Sequence, residues 1–262
     1  MNREIHPTAI LNPKTEIDEG VVIGPFCIIG EGVRIRKGTK LISSVVIEGD
    51  TEIGENCIIY PFTSIGLPPQ DLKYKGEKTG LKIGNGNTIR EYGTIHRASI
   101  GGGGDGTTTI GDNNFFMAYV HIAHDCKIGS HVIMANAATL GGHVIVEDYA
   151  IISGLSAIHQ FTRIGSYAMV GGFSGVGQDV PPYIIASGAR AKLFGLNTIG
   201  LKRHGFSDTK INQLKKAYKI LFREKRTLKD AIKKIQEDLA YTDEIKHLID
   251  FIQQKNSRGI CR

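Results

Sequence analysis

Residues 110–146, IGDNNFFMAYVHIAHDCKIGSHVIMANAATLGGHVIV, carry an aliphatic or aromatic side chain at every sixth position: Ile110, Phe116, Ile122, Ile128, Met134, Leu140 and Val146. Outward from this stretch, the same spacing starts at Ile5 and runs unbroken to Ile65. It resumes from Ile83 to Ile95 and continues beyond Val146 to Val176. Glycine often follows the repeated residue, as in Ile23-Gly24, Ile53-Gly54 and Ile164-Gly165. A period of six is neither the 3.6 of an amphipathic helix nor the 2 of an alternating strand. It suits a parallel β-helix of short strands joined by tight corners, in which three hexapeptides complete a triangular coil of about 18 residues. The repeated side chain points inward on each wall. The position two before it is inward but cramped, and must be small. Cys27, Cys57 and Cys126 occupy that position and read as core residues, which argues against Cys126 as a nucleophile.

The remaining composition narrows the class. Hydrophobic residues make up 41% and charged residues 22% of 262, so disorder is not expected. No apolar run approaches the ~20 residues of a membrane helix, and no basic-then-apolar leader opens the chain, so a cytoplasmic setting is the expectation. Four scattered cysteines without a Cys-x-x-Cys exclude a disulfide scaffold and a zinc knuckle. Charge is uneven: residues 1–189 hold 14 basic and 18 acidic side chains, residues 190–262 hold 18 and 8. A basic segment is either a solvated helical surface or a dock for an anionic partner, and charge alone does not choose.

Two stretches break the repeat, 67–82 (LPPQDLKYKGEKTGLK) and 97–109 (RASIGGGGDGTTT). In a solenoid these are excursions from one side, often at the working surface. Gly101–Gly104 would be mobile; without a following helix they are a weak phosphate cradle. Pro181-Pro182 is expected to end the ladder. Helical patterns follow, with Ser207, Thr227 (with Asp230) and Thr242 as caps. The expected organisation is a β-helix over 1–190 and a helical domain over 191–262 that covers the open end of the ladder.

The coil period places the polar residues. Positions one coil apart stack about 4.8 Å from each other, so His124, Gly142 and Gln160 form one column and Asp125, His143 and Phe161 the next. His121 joins the same strip. Three chemistries compete for it: general-base catalysis by a histidine, a histidine metal site with an open position, and a polar seam between subunits. No Gly-x-Ser-x-Gly elbow suggests a serine acyl-enzyme.

The repeat resembles that of the hexapeptide acyltransferases. Three stretches resemble more narrowly the UDP-N-acetylglucosamine O-acyltransferases that open lipid A biosynthesis: Pro68-Pro69-Gln70-Asp71-Leu72-Lys73-Tyr74, His121-Ile122-Ala123-His124-Asp125-Cys126, and Gly195-Leu196-Asn197 with Gly200-Leu201-Lys202-Arg203. The resemblance covers essentially the whole chain. It implies a left-handed parallel β-helix with a C-terminal helical domain, and a homotrimer with active sites in grooves between subunits. The implied reaction moves an R-3-hydroxyacyl group from acyl carrier protein to the 3-hydroxyl of UDP-N-acetylglucosamine, without metal or cofactor. By motif, His124 is the implied general base, Asp125 its orienting carboxylate and Gly142 the oxyanion donor. The 18-residue period independently puts Gly142 beside His124. Contact between His124 and Asp125, neighbours in sequence, requires a corner or bent backbone.

Asp71, Lys73, His121, His143, His159, Gln160, Asn197 and Arg203 match positions around the nucleotide sugar and acyl donor. Gly172 matches the position that limits acyl length, and glycine there implies a longer chain. His204 stands where the enteric members have a second arginine. The acidic acyl carrier protein is the implied partner of the basic C-terminal segment; neither nucleic acid nor membrane insertion is implied. Alternatives from the sequence are the sibling N-acyltransferase, an amine-bearing acceptor sugar, a zinc hydratase on the same fold, and a purely structural solenoid.

Overall fold

The computed structural model describes residues 3–254 and 256–262. The hexapeptides build a three-walled parallel β-helix. Strands stack with an 18-residue step, Glu4–Ile5 on Val22–Ile23 and Ile10–Leu11 on Ile28–Ile29. The first wall is the longest, with eleven strands among the described residues against nine and eight for the others. It alone runs on through Ile184–Ser187 and an antiparallel strand, Lys192–Leu196, so the ladder passes residue 190. The repeated aliphatic side chains are buried from Ile17 to Val176, while Ile5, on an edge strand, is 42% exposed. The cramped inward position holds Val21, Cys27, Val33, Cys57, Cys126 and Ala138, all without solvent exposure. Burial pushes the Cys126 thiol up to about 12, so it stays a thiol near neutrality.

The tight corners expected from the repeat are present, but their backbone conformation was not legible in it. At each, one residue takes a left-handed backbone, φ near 60°, including non-glycine residues such as Phe26, Asp125, His143, Tyr149 and Phe161. Such conformations are strained for residues with a β-carbon. Here each is fixed by the ladder on either side, as where His143 N–H donates to His124 O at 3.0 Å. Corner aromatics stack down the coil: Phe62 on Tyr92 on Tyr119, and His131 on Tyr149 on Tyr167.

Both excursions leave from the corner joining the second wall to the third, in successive coils, directly ahead of the His124–Asp125 corner in the same column. They are shorter than the break in the repeat suggests. Gly80–Ile83 pairs with Asp50–Ile53 and Thr107–Ile110 with Gly80–Ile83, so residues 80–82 and 107–109 lie in the ladder. Four-residue strands there carry polar side chains that the six-residue pattern hides.

Pro181-Pro182 does not stop the ladder. Val180 bridges Ile164, and Ile185 and Ala186 pair with Met169 and Val170. The prolines sit beside a corner ending at Tyr183, φ 70°, where no ladder N–H is needed. Four helices follow: α1 (Thr198–Arg203), α2 (Asp208–Phe222), α3 (Leu228–Asp238) and α4 (Asp243–Gln253). Ser207, Thr227 and Thr242 cap α2, α3 and α4 through their side-chain oxygens, as the sequence predicts. Tyr218 of α2 joins the β-helix core, while Leu201, Leu214, Ile235 and Ile249 form a second one. Among the described residues, no helix is long and apolar enough to cross a membrane.

Candidate active site

The turn between strands His121–Ile122 and Lys127–Ile128 carries His124 and Asp125. Along an extended strand these neighbours would point to opposite faces. Asp125 instead adopts φ 59°, which swings its carboxylate back under the preceding imidazole. His124 Nδ1 lies 2.8 Å from Asp125 Oδ2. The ionised carboxylate only accepts, so the Nδ1–H donates and Nε2 is left bare. Asp125 is 2% exposed in its side chain, and Oδ2 also accepts the Ser99 N–H at 3.0 Å. Its own N–H donates to Thr108 Oγ1 at 2.9 Å.

One coil on, Gly142 lies against the imidazole. A β-carbon there would come 2.6 Å from His124 Cε1 and 2.7 Å from Nε2. The Gly142 N–H donates to no group among the described residues. The coil leaves the equivalent N–H of Asn136, Gly154 and Gly172 without a ladder partner too. What sets Gly142 apart is the bare imidazole nitrogen beside it. His143 packs edge-on against His124, with centroids 5.3 Å apart, and stacks on Phe161 at 4.5 Å. Burial lowers its pKa, partly countered by the Asp125 charge 3.8 Å away.

His121 stands on the second wall, its Nδ1 2.7 Å from Thr94 Oγ1 and its ring edge-on to His96 at 5.4 Å. Burial, then the charges of His96 and His124, pushes it down to about 4, so it is neutral at pH 7. The two excursions close over this corner. Asp71 accepts the Lys73 N–H at 3.0 Å and the Ser99 hydroxyl at 2.8 Å, bonds that hold it below the usual carboxylate range. The glycine run ends against the site, because a β-carbon on Gly104 would collide with Asp125 Oδ1. An Asp105–Lys127 ion pair at 2.7 Å tethers that loop to the third wall. His159 and Gln160 occupy the corner one coil below Gly142, where Gln160 O accepts from Arg258 at 2.9 Å. Gly172 lies at a different corner, between the first and second walls, with only Gly154 O, at 3.5 Å, near where a β-carbon would stand.

The single chain does not bring Asn197, Arg203 and His204 to this corner. Asn197 is buried, capping α1 by accepting the Gly200 N–H at 3.1 Å and donating to Tyr167 O at 2.9 Å. His204 sits edge-on to Tyr149 and Tyr167, at 5.1 and 5.3 Å. Those tyrosines line the corner between the third and first walls, one whole wall away from His124. Arg203, which precedes His204 at the end of α1, is exposed.

Sequence reasoning missed Thr94, His96, Ser99 and Thr108. Thr94 pairs with His121 across 27 residues because the second excursion lengthens that coil, so a fixed step of 18 does not find it. As for metals, His124, Asp125 and His143 bring one ligand atom each within 4.8 Å of one another. With Asp125 Oδ2 already accepting from His124 and Ser99, the arrangement as it stands is an imidazole oriented by a carboxylate.

Comparisons with known proteins find relatives along essentially the whole chain. The chain is 70% identical over 259 residues to the acyl-[acyl-carrier-protein]–UDP-N-acetylglucosamine O-acyltransferase of Thermodesulfovibrio yellowstonii, covering 99% of both chains. Its identity to the enzyme of the same name from Syntrophobacter fumaroxidans is 48% over 260 residues, covering 99% of this chain and all of the other. A solved UDP-N-acetylglucosamine acyltransferase from Bacteroides fragilis superposes with a TM-score of 0.95 at 39% identity, covering 98% of this chain and 100% of that one. Residues 107–142 match the bacterial transferase hexapeptide model, and residues 179–261 match the second domain of UDP-N-acetylglucosamine O-acyltransferase. On this identity and coverage, the chain belongs to the UDP-N-acetylglucosamine O-acyltransferase family.

Proposed function

We propose that the chain moves an R-3-hydroxyacyl group from acyl carrier protein to the 3-hydroxyl of UDP-N-acetylglucosamine, the first step of lipid A biosynthesis. The observation that carries the reading is the His124–Asp125 pair set directly against the Gly142 backbone. Neutral His124, its Nδ1–H held by Asp125, takes the hydroxyl proton at Nε2 as the sugar oxygen attacks the thioester carbonyl. The Gly142 N–H stabilises the developing oxyanion. The C–S bond then breaks, and protonated His124 returns its proton to the departing thiolate. This sequence needs neither cofactor nor metal.

Asp71, Lys73, His121, His143, His159 and Gln160 line the substrate groove, and Gly172 leaves room for a longer acyl chain. Arg203 lies one wall from His124 in the same chain, and supplies charge to the diphosphate from a neighbouring copy, with His204 next to it. The working unit in this reading is the homotrimer that the family resemblance implies, with its sites between subunits. Asn197 acts through the α1 cap that holds Arg203 in place. The basic segment 190–262 faces the acidic acyl carrier protein. A cytoplasmic setting suits two water-soluble conjugates as substrates.

The deciding experiment incubates the protein with a panel of 3-hydroxyacyl carrier proteins and UDP-N-acetylglucosamine, read by mass spectrometry. An acylated nucleotide sugar with an ester at position 3 is expected. No transfer from any donor, or transfer only to a 3-amino sugar, overturns the reading.

A further inference from the structure

Ser99 is fully buried at the base of the second excursion, and it touches both acidic residues of the site. Its backbone N–H donates to Asp125 Oδ2 at 3.0 Å, the oxygen that also holds His124. Its hydroxyl donates to Asp71 Oδ2 at 2.8 Å, while Asp71 Oδ1 takes the Lys73 N–H. The two carboxylates come from segments far apart in sequence, and Ser99 bridges them. The neighbouring backbone fits the same purpose: Gly101 packs on Lys73, where a β-carbon would come within 3.1 Å of Lys73 Cβ.

We propose that Ser99 is a positioning residue, whose hydroxyl fixes the orientation of Asp71 toward the sugar while its backbone N–H holds Asp125 for His124. The proposal rests on the reading of Asp71 as a sugar-binding group. With one oxygen tied to Ser99 and the other to Lys73, the Asp71 carboxylate cannot spin about its terminal torsion, and its remaining lone pairs face outward. Losing the hydroxyl frees that rotation and leaves the N–H bond to Asp125 in place. The damage therefore falls on binding of the nucleotide sugar rather than on proton transfer.

The test compares Ser99→Ala and Ser99→Thr with the wild type. In Ser99→Ala, KM for UDP-N-acetylglucosamine rises about ten-fold, the scale of one hydrogen bond to a charged group, and kcat changes by less than about three-fold. Ser99→Thr, which keeps the hydroxyl, restores KM. In the free protein, carbon-13 NMR of the Asp71 carboxyl shows a higher titration midpoint in Ser99→Ala, restored in Ser99→Thr. A fall in kcat with KM and the Asp71 midpoint unmoved, or no change in any of the three, overturns the proposal. If the wild type transfers no acyl group, the functional reading alone fails, and the Asp71 midpoint still decides whether Ser99 governs that carboxylate.

Discussion

The Nδ1 of His124 sits 2.8 Å from Oδ2 of Asp125, the next residue in the chain, and the left-handed corner at Asp125 makes that contact possible. The base and its orienting carboxylate are thus held by one turn rather than by two distant segments. Their geometry is as rigid as the coil that carries the turn.

Asparagine tolerates a left-handed backbone as well as aspartate does. Asp125→Asn therefore folds, with a Tm within a few degrees of the wild type. Its amide oxygen can stand where Oδ2 does and accept from both His124 and Ser99, but the side chain carries no charge to stabilise the imidazolium that forms when His124 takes the proton. Turnover falls on the order of 100-fold, as measured by steady-state acyl transfer.

Gly142→Ala puts a methyl group 2.6 Å from His124 Cε1 and forces the ring aside. The expected result is a loss of about 100-fold in kcat with nucleotide-sugar affinity changed little, from kinetics beside calorimetry. A loss confined to affinity would contradict the placement of the oxyanion donor.

His121 and His247 give opposite pH dependences. His121 is pushed down to about 4 from 6.5, so its contribution to stability is complete above pH 6.5 and lost as pH falls toward 4. His121→Gln flattens that acid limb, by no more than ~3 kcal/mol. His247 of α4 is raised, first by its hydrogen bond to Glu147, with Nε2 3.0 Å from Oε2. Burial opposes ionisation of Glu147, but His247 still holds it below its ordinary value. Stabilisation by His247 is full below pH 6.5 and lost as pH rises through its raised value. Glu147→Gln thus lowers Tm more at pH 5.5 than at pH 9, in a thermal-melt series.

Arg163 joins the ladder to the end of α4. It pairs with Asp179, which has no solvent exposure, at 2.7 Å and donates to Phe251 O and Gln254 O at 3.1 Å. Arg163→Met strands a buried carboxylate and costs about 3–5 kcal/mol in urea unfolding. Adding Asp179→Asn recovers part of that loss, because no unpaired charge remains.

Since His124 and Arg203 stand a wall apart in one chain, two inactive variants should complement each other. In the proposed trimer, co-expressed His124→Ala and Arg203→Ala chains mix so that about a quarter of the grooves combine the intact copies. Their acyl transfer should approach that fraction of wild type, and activity no higher than either variant alone would place both residues in one subunit's site.

The six-residue period by itself determined the coil, its 18-residue step and its buried column, because each wall repeats the same local bargain between one inward aliphatic side chain and a tight corner. That arithmetic put Gly142 beside His124 and His143 below Asp125 with no distant contact required. Tertiary structure alone decided the rest. The left-handed corner turns Asp125 under His124, a dihedral the spacing does not encode. Pro181-Pro182 falls beside a corner instead of in a strand, so the ladder continues. The excursions change the step between Thr94 and His121 and fold Ser99 between Asp71 and Asp125. Contacts of this kind depend on where two loops of irregular length meet. A periodic pattern carries information about the next coil and none about a loop that leaves it.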